Sequence, residues 1–117
     1  YAPWYWHSRG MQRIASVIGI APENREEYEA YHAAVWPEVL ATITECNIRN
    51  YSIFRHGDLL FSYFEYVGGD YEADMAKMAA DPATQRWWAV QDPLQTRLPG
   101  TPEGEQWLTI PEIFHHG

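Results

Sequence analysis

A chain of 117 residues is long enough to bury the core of one domain without help from disulfides. Acidic residues outnumber basic ones by 16 to 8, and a net charge of −8 argues against nucleic acid and anionic membranes as partners. The chain has no apolar run near the roughly 20 residues of a membrane span, no signal-peptide pattern and one cysteine, so we expect a cytoplasmic protein with a neutral ligand.

The first half of the chain predicts one strand and one long helix. Residues 1–10 show no clean period and are treated as an N-terminal extension of unknown role, while residues 11–117 are expected to form a single domain. The apolar alternation of QRIASVIGI predicts a strand at 12–20. A helix is predicted from about Arg25 to Cys46, with Asn24 as its N-cap. Pro37 should kink or split that helix, because proline lacks an amide donor.

The second half predicts a hairpin, a helical region and a closing strand. Two β-rich runs within 48–67 flank the turn sequence HGD. A helix capped by Asp70 follows, and Pro82 starts a further helical segment. The segment 92–106 is rich in proline and glycine and is predicted to be a loop, whereas 107–116 has strand composition.

The order β-α-β-β-α-β predicts an α+β, ferredoxin-like fold. Helices would cover one face of its sheet, and the chain has no further layer for the other face. We therefore expect a homodimer that packs sheet on sheet, as in a dimeric α/β barrel. Ile14, Ile18 and the Phe/Tyr-rich third strand are the candidates for this interface.

Three polar-tipped rings recur every four residues in the stretch EYEAYHAAVWPEV. Tyr28, His32 and Trp36 would share one helical face, which a dry core would fill with Leu, Ile and Val. Such a face is better suited to a wet pocket. His32 is the candidate proton-transfer group, because an imidazole exchanges protons near neutral pH. A structurally satisfied histidine is the alternative.

Three further aromatic residues are candidate ligand contacts. Trp87 and Trp88 are adjacent on a predicted helix, about 100° apart, so they cannot both lie on one core face. We interpret them as the rim of a pocket. Tyr51 adds a phenol on the second strand, although β-propensity alone would also explain a tyrosine there.

Metal and covalent chemistry are not indicated. Glu29 and His32 have the Glu-x-x-His spacing of carboxylate metal sites, as do Glu112 and His115. The second pair lies in strand-like sequence, where residues three apart point to opposite faces. Nucleophile elbows and phosphate-binding glycine loops are also absent. We expect no metal and no cofactor.

The chain resembles the L-rhamnose mutarotase family from about Met11 to His115. The motifs that carry the resemblance are EEYEAYHAAVWPE, NYSIF, QRWW and PEIFH. The resemblance implies a dimeric α/β barrel that interconverts the α and β anomers of a 6-deoxy-hexose, a small neutral monosaccharide. It implies that His32 is the proton donor. It also implies sugar contacts from four aromatic residues, namely Tyr28, Tyr51, Trp87 and Trp88.

Several alternatives remain open at this point. The sequence after RWW, AVQDPLQTRLPGTPEGEQW, departs from the Asn- and Ser-rich loop of rhamnose members, so L-fucose is an alternative substrate. Small monooxygenases and haem-handling proteins share the predicted fold. A non-catalytic sugar-binding module would use the same aromatic residues.

Overall fold

An antiparallel sheet forms the centre of the computed structural model, which describes residues 11–117; the predicted N-terminal extension, 1–10, lies outside the described residues. The strands are β1 Gln12–Ile20, β2 Ile48–His56, β3 Leu59–Tyr66, β4 Gln95–Thr96 and β5 Leu108–Ile110. Their spatial order is β2-β3-β1, and both short strands pair with the other edge of β1. The predicted closing strand, 107–116, is thus reduced to β5. The other short strand, β4, lies inside the segment 92–106 that is predicted to be a loop.

Helices follow β1 and β3. They are α1 Arg25–His32, α2 Pro37–Glu45, α3 Tyr71–Ala80 and α4 Pro82–Gln91, with 3-10 turns at Pro22–Asn24 and Asp92–Leu94. Each predicted helical region therefore contains two helices, and the order along the chain is that of the ferredoxin-like fold. The predicted α+β class is confirmed. None of the helices in the described part of the chain is both long and apolar enough to cross a membrane.

Prolines and caps determine where the helices begin. α1 ends at His32, and Pro37 occupies the first turn of α2, so the predicted long helix is split rather than kinked. Asp70 accepts a hydrogen bond from the Ala73 amide at 3.1 Å, which confirms its predicted cap. The Asn24 side chain does not cap α1, because its amide donates to the carbonyl of Leu94 at 3.2 Å instead.

The register places the even-numbered residues of β1 toward the helices. Ile18 and Ile20 are fully buried and form a core cluster with Tyr28 of α1 and Leu60 of β3. Ile14 points to the same side of the strand. The prediction that Ile14 and Ile18 contribute to a dimer interface is therefore wrong, since the helices already cover their face.

The opposite, outer face of the sheet carries an apolar row. Cross-strand pairing aligns Phe54 with Phe61, Phe61 with Val17, and Val17 with Leu108. Phe54, at one end of this row, is 64 % exposed, whereas Val17 within the row is 8 % exposed. The prediction for the third strand is therefore only partly right. Phe61 lies on the outer face, whereas Phe64 packs against the buried cluster of Cys46, Ile48 and Met78.

The closing strand is shorter than its composition predicts. β5 ends at Ile110, directly before Pro111, which lacks the amide needed to continue the ladder. Beyond it Ile113 is 94 % exposed and Phe114 is 81 % exposed. Two large apolar side chains at the end of the described chain thus lie in solvent.

Candidate active site

A cavity of about 600 Å³ lies between the helices and the inner face of the sheet. This volume is in the usual range for small-molecule sites. Its lining includes all five site residues predicted from the sequence, namely Tyr28, His32, Tyr51, Trp87 and Trp88. The fold therefore brings together side chains from α1, β2 and α4.

His32 is the last residue of α1, and its ring is held by its own helix. The Nδ1 atom lies 2.8 Å from the carbonyl oxygen of Tyr28, one turn earlier. A carbonyl only accepts, so we assign the neutral tautomer with the proton on Nδ1 and the lone pair on Nε2. Burial lowers the pKa of His32, and the bond to the Tyr28 carbonyl offsets part of that effect. The neutral ring with a free Nε2 is the form favoured at neutral pH.

Tyr28 stacks on His32 and is itself held by a chain of amides. The two rings lie 4.1 Å apart at an angle of 27°. The Tyr28 hydroxyl accepts a hydrogen bond from Gln95 Nε2 at 3.1 Å, and Gln106 Nε2 lies 3.3 Å from Gln95 Oε1. Burial raises the pKa of Tyr28, so the phenol keeps its proton. That proton is available for donation, because the oxygen serves as the acceptor for Gln95.

The two adjacent tryptophans have different environments. Trp87 is 7 % exposed and packs with Val39 and Ala83 in a core cluster. Its ring meets His32 edge-on with centroids 5.3 Å apart, and Trp36 at 5.1 Å on another side. Interpreting Trp87 as a rim residue is therefore wrong: it is a buried wall that supports His32.

Trp88 lies where the sequence predicts it, whereas Trp36 does not. Trp88 is 39 % exposed and lies at the mouth of the cavity, as predicted for a rim residue. Trp36 precedes α2 and packs on Trp87, so it does not share a helical face with Tyr28 and His32. The break before Pro37 removes it from the predicted row.

A β-bulge positions Tyr51. Arg49 pairs with Glu65 and Ser52 with Tyr63, so two residues of β2 oppose Phe64 alone. The extra residue is Asn50, which adopts a left-handed φ of 50°. Bulges of this type bend a strand and redirect its side chains.

Tyr51 reaches the cavity from this bulge. Its ring lies 5.5 Å from that of Phe64, and the residue is 42 % exposed. Loss of solvent around the hydroxyl nevertheless raises its pKa. Tyr51 lines the cavity together with His32 and Trp87.

Polar residues that sequence reasoning missed line the floor and one side of the cavity. Ser62, Ser16 and Thr109 align across β3, β1 and β5, and the first two hydroxyls are hydrogen-bonded to each other. Gln91, the last residue of α4, and Gln95, in β4, line the cavity on one side. The sequence did contain a signal for these floor residues. Ser16 lies on the same face of β1 as the buried Ile18, and Ser62 lies on the same face of β3 as Leu60.

The glutamates of both Glu-x-x-His pairs form ion pairs with arginines. Glu29 forms an ion pair with Arg55 at 2.6 Å, and Glu112 forms one with Arg13 at 2.7 Å. Within residues 11–117 no group of three or more His, Cys, Asp or Glu side chains is arranged to hold a metal ion. The site offers proton exchange and hydrogen bonding, and two carboxylate residues, Asp92 and Glu105, also line its cavity.

These features define an α+β protein of ferredoxin-like fold with a histidine in an aromatic cavity. Solved structures with this fold include the L-rhamnose mutarotase FA22100 of Formosa agariphila, with a TM-score of 0.69 and 22 % identity over 91 % of this chain and 99 % of that one. They also include the tetracenomycin F2 cyclase of Streptomyces glaucescens, with a TM-score of 0.63 and 19 % identity over 91 % and 96 %. The fold therefore accommodates more than one chemistry.

Sequence similarity identifies the family. A family model described as L-rhamnose mutarotase matches residues 13–116. An L-fucose mutarotase of Xanthomonas campestris is 37 % identical over 89 % of this chain and 87 % of its own length. An L-rhamnose mutarotase of Listeria monocytogenes is 33 % identical over 90 % and 98 %. The chain belongs to the L-rhamnose mutarotase family, whose members are carbohydrate isomerases that interconvert sugar anomers.

Proposed function

We propose that this enzyme interconverts the α and β anomers of a 6-deoxy-hexose, with L-rhamnose and L-fucose as the two candidate substrates. The observation that carries the proposal is the hydrogen bond that orients His32 and leaves its Nε2 for a ligand. Similarity to both an L-rhamnose and an L-fucose mutarotase supports the substrate class. A neutral sugar also suits a chain with a net charge of −8.

The proposed reaction needs only proton transfer. Nε2 of neutral His32 takes the proton of the anomeric hydroxyl while the ring C–O bond breaks and a second group, acting as an acid, gives a proton to the ring oxygen. The open aldehyde turns about its C1–C2 bond. The ring closes on the other face as the hydroxyl formed from the ring oxygen returns its proton to that second group and the imidazolium gives its proton to the aldehyde oxygen. His32 thus accepts a proton in opening and is the proton donor in closing, the role that the resemblance assigns to it.

Tyr28 is our proposed partner at the ring oxygen. Its raised pKa keeps the phenol protonated. The hydroxyl oxygen accepts the hydrogen bond from Gln95, so the hydroxyl proton can be donated to the sugar. A phenol that donates a hydrogen bond stabilises the negative charge that develops as the ring C–O bond breaks. Tyr51, Trp87 and Trp88 are proposed sugar contacts, since aromatic faces pack against sugar C–H groups.

We also propose that the enzyme is a homodimer joined through the outer face of the sheet. Within the row from Phe54 to Leu108, Phe54 is 64 % exposed and Phe61 and Leu108 are partly exposed, whereas Val17 is already buried. Burying such a face against a second copy removes it from water. The exposed Ile113 and Phe114 extend the apolar surface available to that partner.

Residues 11–117 are proposed to form one domain, which the family match over 13–116 supports. The buried, unpaired Cys46 supports a reducing, cytoplasmic location.

Exchange NMR on equilibrated sugars tests the function directly. Saturating the α anomeric proton of L-fucose or L-rhamnose should transfer saturation to the β proton in an enzyme-dependent manner. D-Glucose, which differs from both in configuration and at C6, is the control sugar. Absence of enzyme-dependent transfer with both deoxy-sugars would reject the proposed substrates.

A further inference from the structure

Gln91 is a buried amide without a partner. It is the last residue of α4, one turn after Trp87, and it is 3 % exposed. Neither its Nε2 nor its Oε1 has a hydrogen-bond partner among the described residues. An amide buried in this state costs free energy, and nearly all buried side-chain polar atoms in proteins are paired.

The position of Gln91 indicates what would satisfy it. The residue lines the same cavity as His32 and Tyr28. Its neighbour in that lining, Gln95, is already bonded to the Tyr28 hydroxyl, so the two amides differ in state. Gln91 therefore offers one acceptor and two donors at a cavity whose expected occupant carries several hydroxyls.

We propose that the Gln91 amide binds a ring hydroxyl of the sugar and is a specificity-determining residue of the site. The inference rests on the proposed mutarotase function. A primary amide both accepts and donates, so it pairs with one hydroxyl or with two adjacent ones. L-Rhamnose and L-fucose differ in the orientation of the hydroxyls at C2 and C4. An amide fixed in the wall at Gln91 discriminates between such epimers, because the wrong epimer leaves it unpaired.

The test compares Gln91→Met with Gln85→Met. Methionine keeps the length of glutamine and removes both polar atoms; Gln85 is exposed on the same helix and is the matched control. Exchange rates over a range of L-fucose and L-rhamnose concentrations give KM and kcat. We expect the KM of Gln91→Met for the better substrate to rise about 10- to 100-fold, the usual effect of losing a buried hydrogen bond. The kcat should change less than about threefold, and Gln85→Met should match the unmodified enzyme.

A ligand that cannot react separates binding from catalysis. The 1,5-anhydro form of the better substrate lacks the anomeric hydroxyl, and its binding is followed by tryptophan fluorescence. Gln91→Met should weaken this binding by a similar factor. Its melting temperature should be unchanged or higher, because a buried amide without a partner is removed. Gln91→Leu, which also removes both polar atoms, provides the same binding comparison if the methionine variant does not fold.

The outcomes distinguish this inference from the function on which it rests. If the unmodified enzyme exchanges the anomers and Gln91→Met retains its KM and its sugar preference, Gln91 does not bind the sugar. A fall in melting temperature with unchanged sugar binding likewise overturns the inference, because the amide then has a structural partner. If the unmodified enzyme exchanges neither sugar, the proposed function fails instead.

Discussion

The Nδ1 atom of His32 lies 2.8 Å from the carbonyl oxygen of Tyr28, and the same two residues stack their rings 4.1 Å apart. One turn of α1 therefore fixes both the tautomer of the imidazole and the plane of its ring. The orienting group is a backbone atom, which substitutions of side chains leave in place. The reactive nitrogen is consequently defined by local helical geometry.

Removing the imidazole should slow anomer exchange without unfolding the protein. We expect His32→Ala to lower kcat by about 10²–10⁴, the usual effect of one acid–base group. His32→Gln is the matched variant, since an amide still hydrogen-bonds but does not exchange protons near neutral pH. Exchange NMR gives the rate, and circular dichroism verifies the fold. Retention of the unmodified rate by His32→Gln would assign proton transfer to another group.

The rate should follow the protonation of His32. The neutral form is the one that accepts the first proton, and burial lowers the pKa of His32 below 6.5. The kcat/KM should therefore be constant near pH 7 and fall only as the pH drops through a value below 6.5. An inflection above 6.5 would contradict this assignment.

Stability should depend on pH in the same window. Because the pKa of folded His32 lies below that of the unfolded chain, the unfolded state binds more protons between the two values. The free energy of unfolding should thus decrease as the pH falls from about 6.5 through the folded pKa. Urea melts of the unmodified enzyme and His32→Gln at several pH values measure the difference. Identical pH dependence in both proteins would exclude His32 as the source.

The two adjacent tryptophans should respond differently to truncation. Trp87 is buried, so Trp87→Ala should lower the free energy of unfolding by about 3–5 kcal/mol. Trp88→Ala should cost about 1 kcal/mol or less and should weaken sugar binding instead, since Trp88 is 39 % exposed at the cavity mouth. Denaturant titration and ligand binding of both variants provide the comparison. Equal losses of stability would contradict the assigned positions.

The β-bulge next to Tyr51 should require a residue at position 50 that tolerates a left-handed backbone conformation. Asn50 has a φ of 50° and donates to Glu65 at 2.7 Å. Asn50→Ala and Asn50→Gly both lose that bond, but only alanine meets the left-handed penalty of about 1–2 kcal/mol. We expect the alanine variant to be less stable than the glycine variant by about this amount in thermal or urea melts. Equal stability would show that the bulge relaxes.

A charge on the outer sheet face should dissociate the proposed dimer. Phe54 is 64 % exposed in the apolar row, so Phe54→Asp should yield a 13.6 kDa species by light scattering. Val67, also exposed but beyond the end of β3, is the control position, and Val67→Asp should leave the dimer intact. An unmodified protein that is monomeric at micromolar concentration would reject the dimer itself.

The sequence by itself determined the order of the main elements and five of the residues that line the cavity. Apolar alternation, the HGD turn, the cap at Asp70 and the prolines are local signals, and each acts on a few neighbouring residues. The motif around His32 likewise carried the family resemblance. Within it, Tyr28 and His32 meet without reference to the rest of the fold, because they lie one turn apart on a helix.

Only the tertiary structure decided which face each residue serves. The alternation of β1 has two faces, and the side on which the helices pack placed Ile18 in the core rather than at an interface. Adjacent residues of α4 diverged for the same reason: Trp87 points into the packed helices and Trp88 toward solvent. The unpaired state of Gln91 depends on every group around it, and such contacts join residues far apart in the chain. Local patterns determine which elements form, whereas burial is a property of how those elements pack together.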